Sequence, residues 1–438
     1  MTRVLVISAE PVGERMAGPA IRAYELARAL APHCRVTLAA PAPSEVGDGR
    51  LELLRAGLAD YDALLEGARS HDVVVAQLLP PRLLSRVWRL PARLAVDLYN
   101  PTVVEVIEAT RDNPPASRAR LRRVVTRAAT AHLAAADLVV CASERQRDLW
   151  LGGLALRELL EPDALQRLAV VPFGVPDSPP RPALRPAIKG TLPGIAAHDR
   201  VLLWGGGIWD WLDAPTAIIA TARLPDDVHL VFQGLRRPAI DQRDEHRAAP
   251  RAIALARELR LEGTRVHFHH DWVPYEERGG WLLEADIGVS AHPAHLETRF
   301  AFRARIVDYL WAGLPVVTTE GDVLGDAVRS QSLGRAVPAQ DPGAFAQACS
   351  ELLADATTER RNAKRAAEEM RWETVVQPLL EFCLNGTKRP VTPERRRTVT
   401  TATLRQYAPI AAETLGTDGL TSLTRKLATN ANRALRKR

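Results

Sequence analysis

Four cysteines in 438 residues, Cys34, Cys141, Cys349 and Cys383, stand too far apart to make a CxxC pair. Their scarcity excludes a disulfide framework, offers no structural zinc site and points to a reducing compartment. Long apolar runs are absent too, since none approaches the roughly 20 residues that span a bilayer. The opening MTRVLVISAEP is a short strand entering a polar loop, without the apolar core of a signal peptide. The expected location is therefore the cytoplasm, in solution or peripherally on the inner face of the cell membrane. A third absence lies in the first strand–loop–helix unit, whose loop EPVGERMAG lacks G-x-G-x-x-G. A nicotinamide dinucleotide is not expected there.

What the chain does have is a globular composition, 46% apolar and 25% charged, at a length that favours two domains. The formal charge of +6 is unevenly placed. From residue 386 to 438 twelve Lys or Arg face three acids, so the preceding residues sum to about −3.

Short apolar runs at 4–8, 35–40, 73–77, 94–98, 138–142 and 169–172 read as buried strands separated by helical stretches such as Ile21–Leu30. A second series follows at 201–204, 229–233, 266–269, 287–290 and 316–317, with helices expected over 302–310, 345–353, 358–370 and 372–384. This alternation predicts an α/β protein with parallel sheets covered on both faces. Residues 1–175 and 196–371 are expected to form two Rossmann-like domains, joined by a proline-dense linker at 176–195.

Gly205, Gly206 and Gly207 end the strand that starts at Val201. Each glycine costs chain entropy, so three together are hard to explain by packing and suggest a phosphate or sugar against the backbone. Asp213 is the expected cap of a helix from Ala214, with Pro215 in its first turn. Trp209 and Trp211 read either as core or as a border of the ligand. His267 and His269 alternate on one strand face with no acidic ligand or cysteine nearby, so no metal is expected there.

The most informative stretch runs from His292 to Asp322. Its leading loop carries Glu297, Arg299 and Arg303, after which Phe302, Ile306, Tyr309 and Leu310 recur at helical spacing. Gly313 and Pro315 stop that helix. Val316 and Val317 open a buried strand, and Thr318 to Asp322 lie at its carboxyl end, where open parallel sheets bind ligands. Polar residues thus converge on a helix amino-terminus and a strand carboxyl end, a favourable place for a phosphate.

With its AGLPVV segment at 312–317, this stretch resembles the donor-binding region of the retaining GT-B glycosyltransferases of family 4, the glycosyl transferases group 1. That family's pattern is a Glu, seven residues, a second Glu, a small-residue turn and G-[LIV]-P-V-V. In register, Asp308 stands at the second Glu and Phe300 at the first. The resemblance implies that Asp308 binds the nucleotide ribose and that Glu297, three residues early, substitutes at the donor sugar. It also implies a GT-B fold, two Rossmann-like domains facing across a cleft, with acceptor domain first and donor domain second. The helix at 372–385 is then expected to cross back to the first domain.

Other segments are similar to the family as well. SE at Ser143–Glu144 and VVPFGVP around Gly174 match its S-E and P-N-G-V segments, with Phe173 replacing the usual Asn. By the resemblance Gly13 and Gly18 face the donor phosphates, although Gly13 also suits a plain turn. Backbone at Trp272 and Val273 borders the base, and Thr319, Gly321 and Asp322 complete the donor site. Asp97 falls near the family's acceptor-side His or Asp, where it would orient or deprotonate the acceptor hydroxyl; the alternative is a turn cap with Asn100 and Pro101. The family's G-R and later Lys on the diphosphate are missing, and Arg299, Arg303 or Arg305 is expected to compensate. For Arg305 an i,i+3 pair with Asp308 is the competing reading. Asp226 and Asp227 lack the D-x-D spacing of metal-dependent GT-A enzymes, so no metal is expected.

The implied function is transfer of a sugar from a nucleotide diphosphate sugar, as co-substrate and without a further cofactor, to an acceptor hydroxyl with retention. The acceptor is expected in cell-envelope polysaccharide or glycolipid synthesis, with natural-product glycosylation next. A catalytically inactive GT-B scaffold or regulator at the membrane, and an epimerase on the same fold, are the other readings. The tail at 386–438 is expected to be partly disordered, with a basic amphipathic helix at 420–438 suited to an anionic membrane surface. Nucleic acid is disfavoured, because Tyr407 is the tail's lone aromatic residue.

Overall fold

The computed structural model describes residues 1–43, 49–235 and 247–402; the basic helix expected at 420–438 lies outside them. The first domain holds seven strands: β1 (Arg3–Ile7), β2 (Arg35–Ala40), β3 (Glu52–Arg55), β4 (Val73–Ala76), β5 (Arg93–Asp97), β6 (Leu138–Cys141) and β7 (Leu168–Val170). They pair in parallel in the order β3-β2-β1-β4-β5-β6-β7. The second domain holds β8 (Arg200–Gly205), β9 (Val228–Gln233), β10 (Val266–His269), β11 (Ile287–Ser290), β12 (Val316–Thr319) and β13 (Gly334–Val337). These pair in parallel in the order β10-β9-β8-β11-β12-β13.

Parallel neighbours require crossovers, and helices supply them on both faces of each sheet. Strands such as VVVA at β4 and LVVC at β6 are buried along their whole length, which is why their apolar runs are legible. β3 escaped that reading because it is an edge strand, ELLR, largely exposed. β13, GRAV, is likewise too short and mixed to stand out. No described helix is long and apolar enough to cross a membrane. All four cysteines are buried and free.

The two domains share an apolar core. One cluster runs from Val4 and Val36 of the first sheet through Val175 and Trp372 to Leu203 and Val316 of the second. Val175 bridges Arg371, so the chain crosses between domains twice side by side. The helices Trp372–Val375 and Gln377–Asn385 then lie on the first domain, where Arg93 donates to the carbonyls of Phe382, Cys383 and Gly386.

Of the tail expected to be partly disordered, residues 386–402 are packed on the first domain. Lys388 lies 3.0 Å from the buried carboxylate of Asp137. Arg395, also buried, donates to the carbonyls of Ala134, Ala135 and Ala136. Val399 and Ala402 join the core beneath Trp88 and Leu133. Three of the charges that make TKRPVTPERRRT read as solvated, Lys388, Arg389 and Arg395, are instead satisfied by carbonyls at a helix end and by acidic side chains, while Arg396 and Arg397 are exposed.

Candidate active site

The carboxyl ends of both sheets face each other, and between them lies a cavity of about 450 Å3. That volume is in the range of small-molecule sites, and the placement is where parallel sheets bind ligands. The first domain contributes the amino-terminus of the helix Gly18–Leu30, with Pro19 in its first turn, and the turn after β5 at Tyr99 and Asn100. The second contributes the turn after β8, the Trp272–Val273 segment and the helix Ala304–Trp311.

The glycine turn has three separate causes. Gly206 has φ of +75°, a conformation that favours glycine. A Cβ on Gly207 would meet Trp209 at 2.8 Å, and one on Gly205 would meet Tyr309 at 3.3 Å. Packing therefore accounts for two of the three glycines, contrary to the expectation from sequence. The Tyr309 hydroxyl fixes the turn, accepting from the Gly205 N–H at 2.8 Å and donating to the Val289 carbonyl at 2.9 Å. Asp213 caps the next helix, Ala214–Thr221, by accepting from the Thr216 N–H.

Arg305 lies against this turn. Its Nη2 donates to the Gly207 carbonyl at 3.0 Å, and its guanidinium stands 5.0 Å from the ring centre of Trp204. Nη1 is buried and has no hydrogen-bond partner among the described residues. Burial lowers the guanidinium to about 10, which leaves it charged at neutral pH. The i,i+3 pair with Asp308 does not form. Asp308 faces Arg278 instead, at 3.5 Å, and burial raises its carboxyl while Arg278 opposes that shift. Arg278 is itself held by the Tyr275 carbonyl and sandwiched near the rings of Tyr275 and Trp311.

Glu297 and Arg303 form a closed pair, with Nη1 to Oε1 at 2.9 Å and Nη2 to Oε2 at 2.6 Å. Both line the cavity and both are buried. They are positioned by a break in the expected helix: Leu296–Phe300 is a short helix of its own, Ala301 is extended, and the longer helix begins at Ala304.

The cavity thus brings together Gly18, Gly205, Gly206, Gly207, Trp272, Val273, Glu297, Arg303, Arg305 and Asp308. Five expected residues are not among its lining: Asp97 in the first domain and four on the donor side. Arg299 is exposed, and its carbonyl accepts from Arg145. Thr319 is buried and accepts from the His292 N–H, while Gly321 offers its carbonyl to Arg145. Asp322 caps the helix Val323–Ser330 and lies 3.0 Å from His292 and 3.5 Å from Arg303. Of these four, Asp322 contacts a lining residue, Arg303.

Asp97 is the main correction. Its two oxygens accept from Arg22 Nε at 2.6 Å and Nη2 at 2.9 Å, in a pair buried under Tyr99 and Phe173. Neither turn capping nor contact with an acceptor describes it. The carboxyl that reaches the cavity from this strand end is that of Glu105, on the helix Thr102–Ala109. Burial, then Glu297, push its carboxyl up to about 8. Sequence reasoning missed both Glu105 and Arg278; Asp97 ends the strand that leads into the helix carrying Glu105.

The second domain joins the first through Trp272 Nε1 to the Met16 carbonyl at 2.8 Å, the Tyr275 hydroxyl to Glu25 at 2.6 Å, and Gln146 to the Phe300 carbonyl at 2.9 Å. Ser143 caps the helix that carries Gln146, which is what the S-E segment provides. His267 and His229 bond each other at 3.1 Å, and His229 lies 3.0 Å from Asp199. Among the described residues no group of three or more His, Cys, Asp or Glu is arranged to hold a metal ion.

Residues 206–355, which carry the glycine turn, Glu297, Arg303, Arg305 and Asp308, match the glycosyl transferases group 1. The chain has the GT-B fold, and the matched part of its second domain is similar to the glycosyl transferases group 1. Solved structures agree on the fold. Sucrose-phosphate synthase from Thermosynechococcus elongatus superposes with a TM-score of 0.62 at 18% identity, over 86% of this chain and 97% of that one. Anabaena HepE in complex with UDP and glucose gives 0.63 at 14%, over 87% and 99%. WaaG, a glycosyltransferase involved in lipopolysaccharide biosynthesis, gives 0.58 at 16%, over 87% and 100%. No curated protein matches the sequence. Among the described residues, Arg305 and Arg278 are the cavity's cations beside the Glu297-bound Arg303.

Proposed function

We propose that the protein transfers a sugar from a nucleotide diphosphate sugar to an acceptor hydroxyl, with retention and without a metal ion. The observation that carries this reading is the buried, half-satisfied guanidinium of Arg305 against the glycine turn. A buried donor without a partner costs about 1–3 kcal/mol, and more when charged, unless a ligand supplies the acceptor. A diphosphate across the Gly205–Gly207 turn supplies it, with the amino-terminus of the Gly18 helix opposite. Asp308 then receives the ribose, Trp272 and Val273 border the base, and Glu297, held in one orientation by Arg303, meets the donor sugar. No protein nucleophile is required. The leaving phosphate takes the acceptor proton on the face of attack, while the site provides orientation and charge neutralisation.

HepE is described with UDP and with UDP-glucose, so a uridine donor is the first to test. A cell-envelope glycan or lipid-linked acceptor, met at the inner face of the membrane, is the acceptor class proposed from the basic residues toward the carboxyl end. The test is a thermal-shift and calorimetric panel of UDP, GDP, ADP, TDP and CDP and their sugars on the wild type and Arg305→Ala. One nucleotide should stabilise the native state, and less so in the variant. Absence of binding by every nucleotide would overturn the donor assignment.

A further inference from the structure

We propose that Glu105 orients the acceptor hydroxyl, and that the part of the acceptor reaching it is a neutral sugar. This inference rests on the donor reading above. The turn after β5 starts the helix Thr102–Ala109 at the cavity, and that helix packs on Leu296–Phe300 of the second domain. Glu105 is thereby brought from the first domain towards the Glu297–Arg303 pair, whose charges both act on it. Among the described residues the Glu105 carboxyl has no hydrogen-bond or ion-pair partner. It contrasts with the other carboxylates around it, since Asp97 is closed by Arg22, Glu297 by Arg303, and Asp308 by Arg278. Glu105 is the cavity carboxyl with no charged partner of its own, beside the Glu297–Arg303 pair proposed to meet the donor sugar.

Its charge state defines what it recognises. Burial and Glu297 push the carboxyl up to about 8, with Arg303 opposing, so at neutral pH it is protonated. Tyr99, at the foot of the same turn, is pushed still higher by burial and also stays neutral. A protonated carboxyl offers one O–H donor and one C=O acceptor, which two adjacent sugar hydroxyls complement. A phosphate or carboxylate acceptor would face Glu105 and Glu297 together, and the terminal nitrogens of Arg303 are already used by Glu297. In the step itself the acceptor oxygen bonds to the anomeric carbon as that carbon's bond to the diphosphate oxygen breaks. The hydroxyl proton leaves on the diphosphate, and Glu105 ends the step as it began.

The experiment measures UDP release from UDP-glucose with a panel of neutral methyl glycosides and with glucose 6-phosphate, beside calorimetric binding of UDP, on the wild type, Glu105→Ala and Glu105→Gln. We expect UDP affinity to be unchanged in both variants. Transfer should fall about 10²-fold in Glu105→Ala, the scale of one orienting group. In Glu105→Gln, whose amide also donates and accepts, it should stay within about threefold of wild type at pH 7. The wild-type rate should decline above pH 8, as the carboxyl ionises beside Glu297, and Glu105→Gln should lose that decline. Full transfer by Glu105→Ala overturns the inference. So does an equal loss in both variants, which would make the carboxyl a base, or a wild type that uses glucose 6-phosphate and no neutral glycoside. Failure of UDP to bind the wild type instead overturns the donor reading, and this inference with it.

Discussion

The hydroxyl of Tyr275, in the second domain, donates to Glu25 of the first at 2.6 Å, and both residues are buried. Burial raises the Glu25 carboxyl, which Arg28, Tyr275 and Arg278 oppose. Arg278 in turn reaches Tyr275 and Asp308, so the contact between domains is continuous with the expected ribose ligand. The contact between the domains and the proposed donor site are thereby joined by one chain of polar side chains.

Tyr275→Phe removes that link and leaves Glu25 short of a buried donor, at a cost of about 1–3 kcal/mol. The melting temperature should fall, and small-angle scattering should show a more extended average shape that UDP restores. Identical scattering of the two proteins would show that the contact does not hold the domains.

Arg305→Ala should weaken nucleotide diphosphate binding by about 10- to 100-fold, the worth of one or two charge-assisted hydrogen bonds. Arg299→Ala, at an exposed position outside the cavity, should leave affinity unchanged. Calorimetric titration of both variants checks the pair, and the reverse ordering would favour Arg299 among the three arginines the sequence offers.

Asp97→Ala should act on stability, because it strands the Arg22 guanidinium, whose side chain is fully buried. Breaking one partner of such a pair costs about 3–5 kcal/mol. Urea unfolding measures it. Replacing both members by apolar residues should recover much of the loss.

Glu105 gives stability a pH dependence of known sign. Its folded carboxyl lies at about 8 against an ordinary 4.5, so the native state binds the proton more tightly than the unfolded chain. The stabilisation from that proton is fully present below 4.5 and is lost as pH rises through 8. Denaturant titrations from pH 4.5 to 8.5 should show this downward slope, flattened in Glu105→Gln.

Arg395→Ala should loosen the segment 386–402, since it leaves the carbonyls of Ala134 and Ala135 without this donor. Hydrogen exchange should rise in that segment and at the end of the helix Pro115–Ala135, with nucleotide binding unaffected.

Much of the fold was legible from local pattern. Buried parallel strands are continuous apolar runs, and the strands expected around 4–8, 73–77, 138–142 and 287–290 appear within one or two residues. The cap at Asp213 and the stop at Gly313, whose φ is +66°, follow from chain geometry within a few residues. The edge strand β3 did not, because an exposed strand needs no apolar run. The packing of residues 386–402 was not legible for the opposite reason: charge predicts solvation only where no carbonyls or buried acid await it.

The sequence by itself determined two α/β units, the loops at their strand ends and the AGLPVV turn that sets the register of Asp308, since these depend on spacing along one segment. Tertiary structure decided which charges remain available. Arg22 closes Asp97 from 75 positions away and Tyr275 meets Glu25 across 250, while Arg303 closes Glu297 only 6 residues on through a helix break. A carboxylate's role depends on the cation beside it and the water it has lost, and both are set by folding.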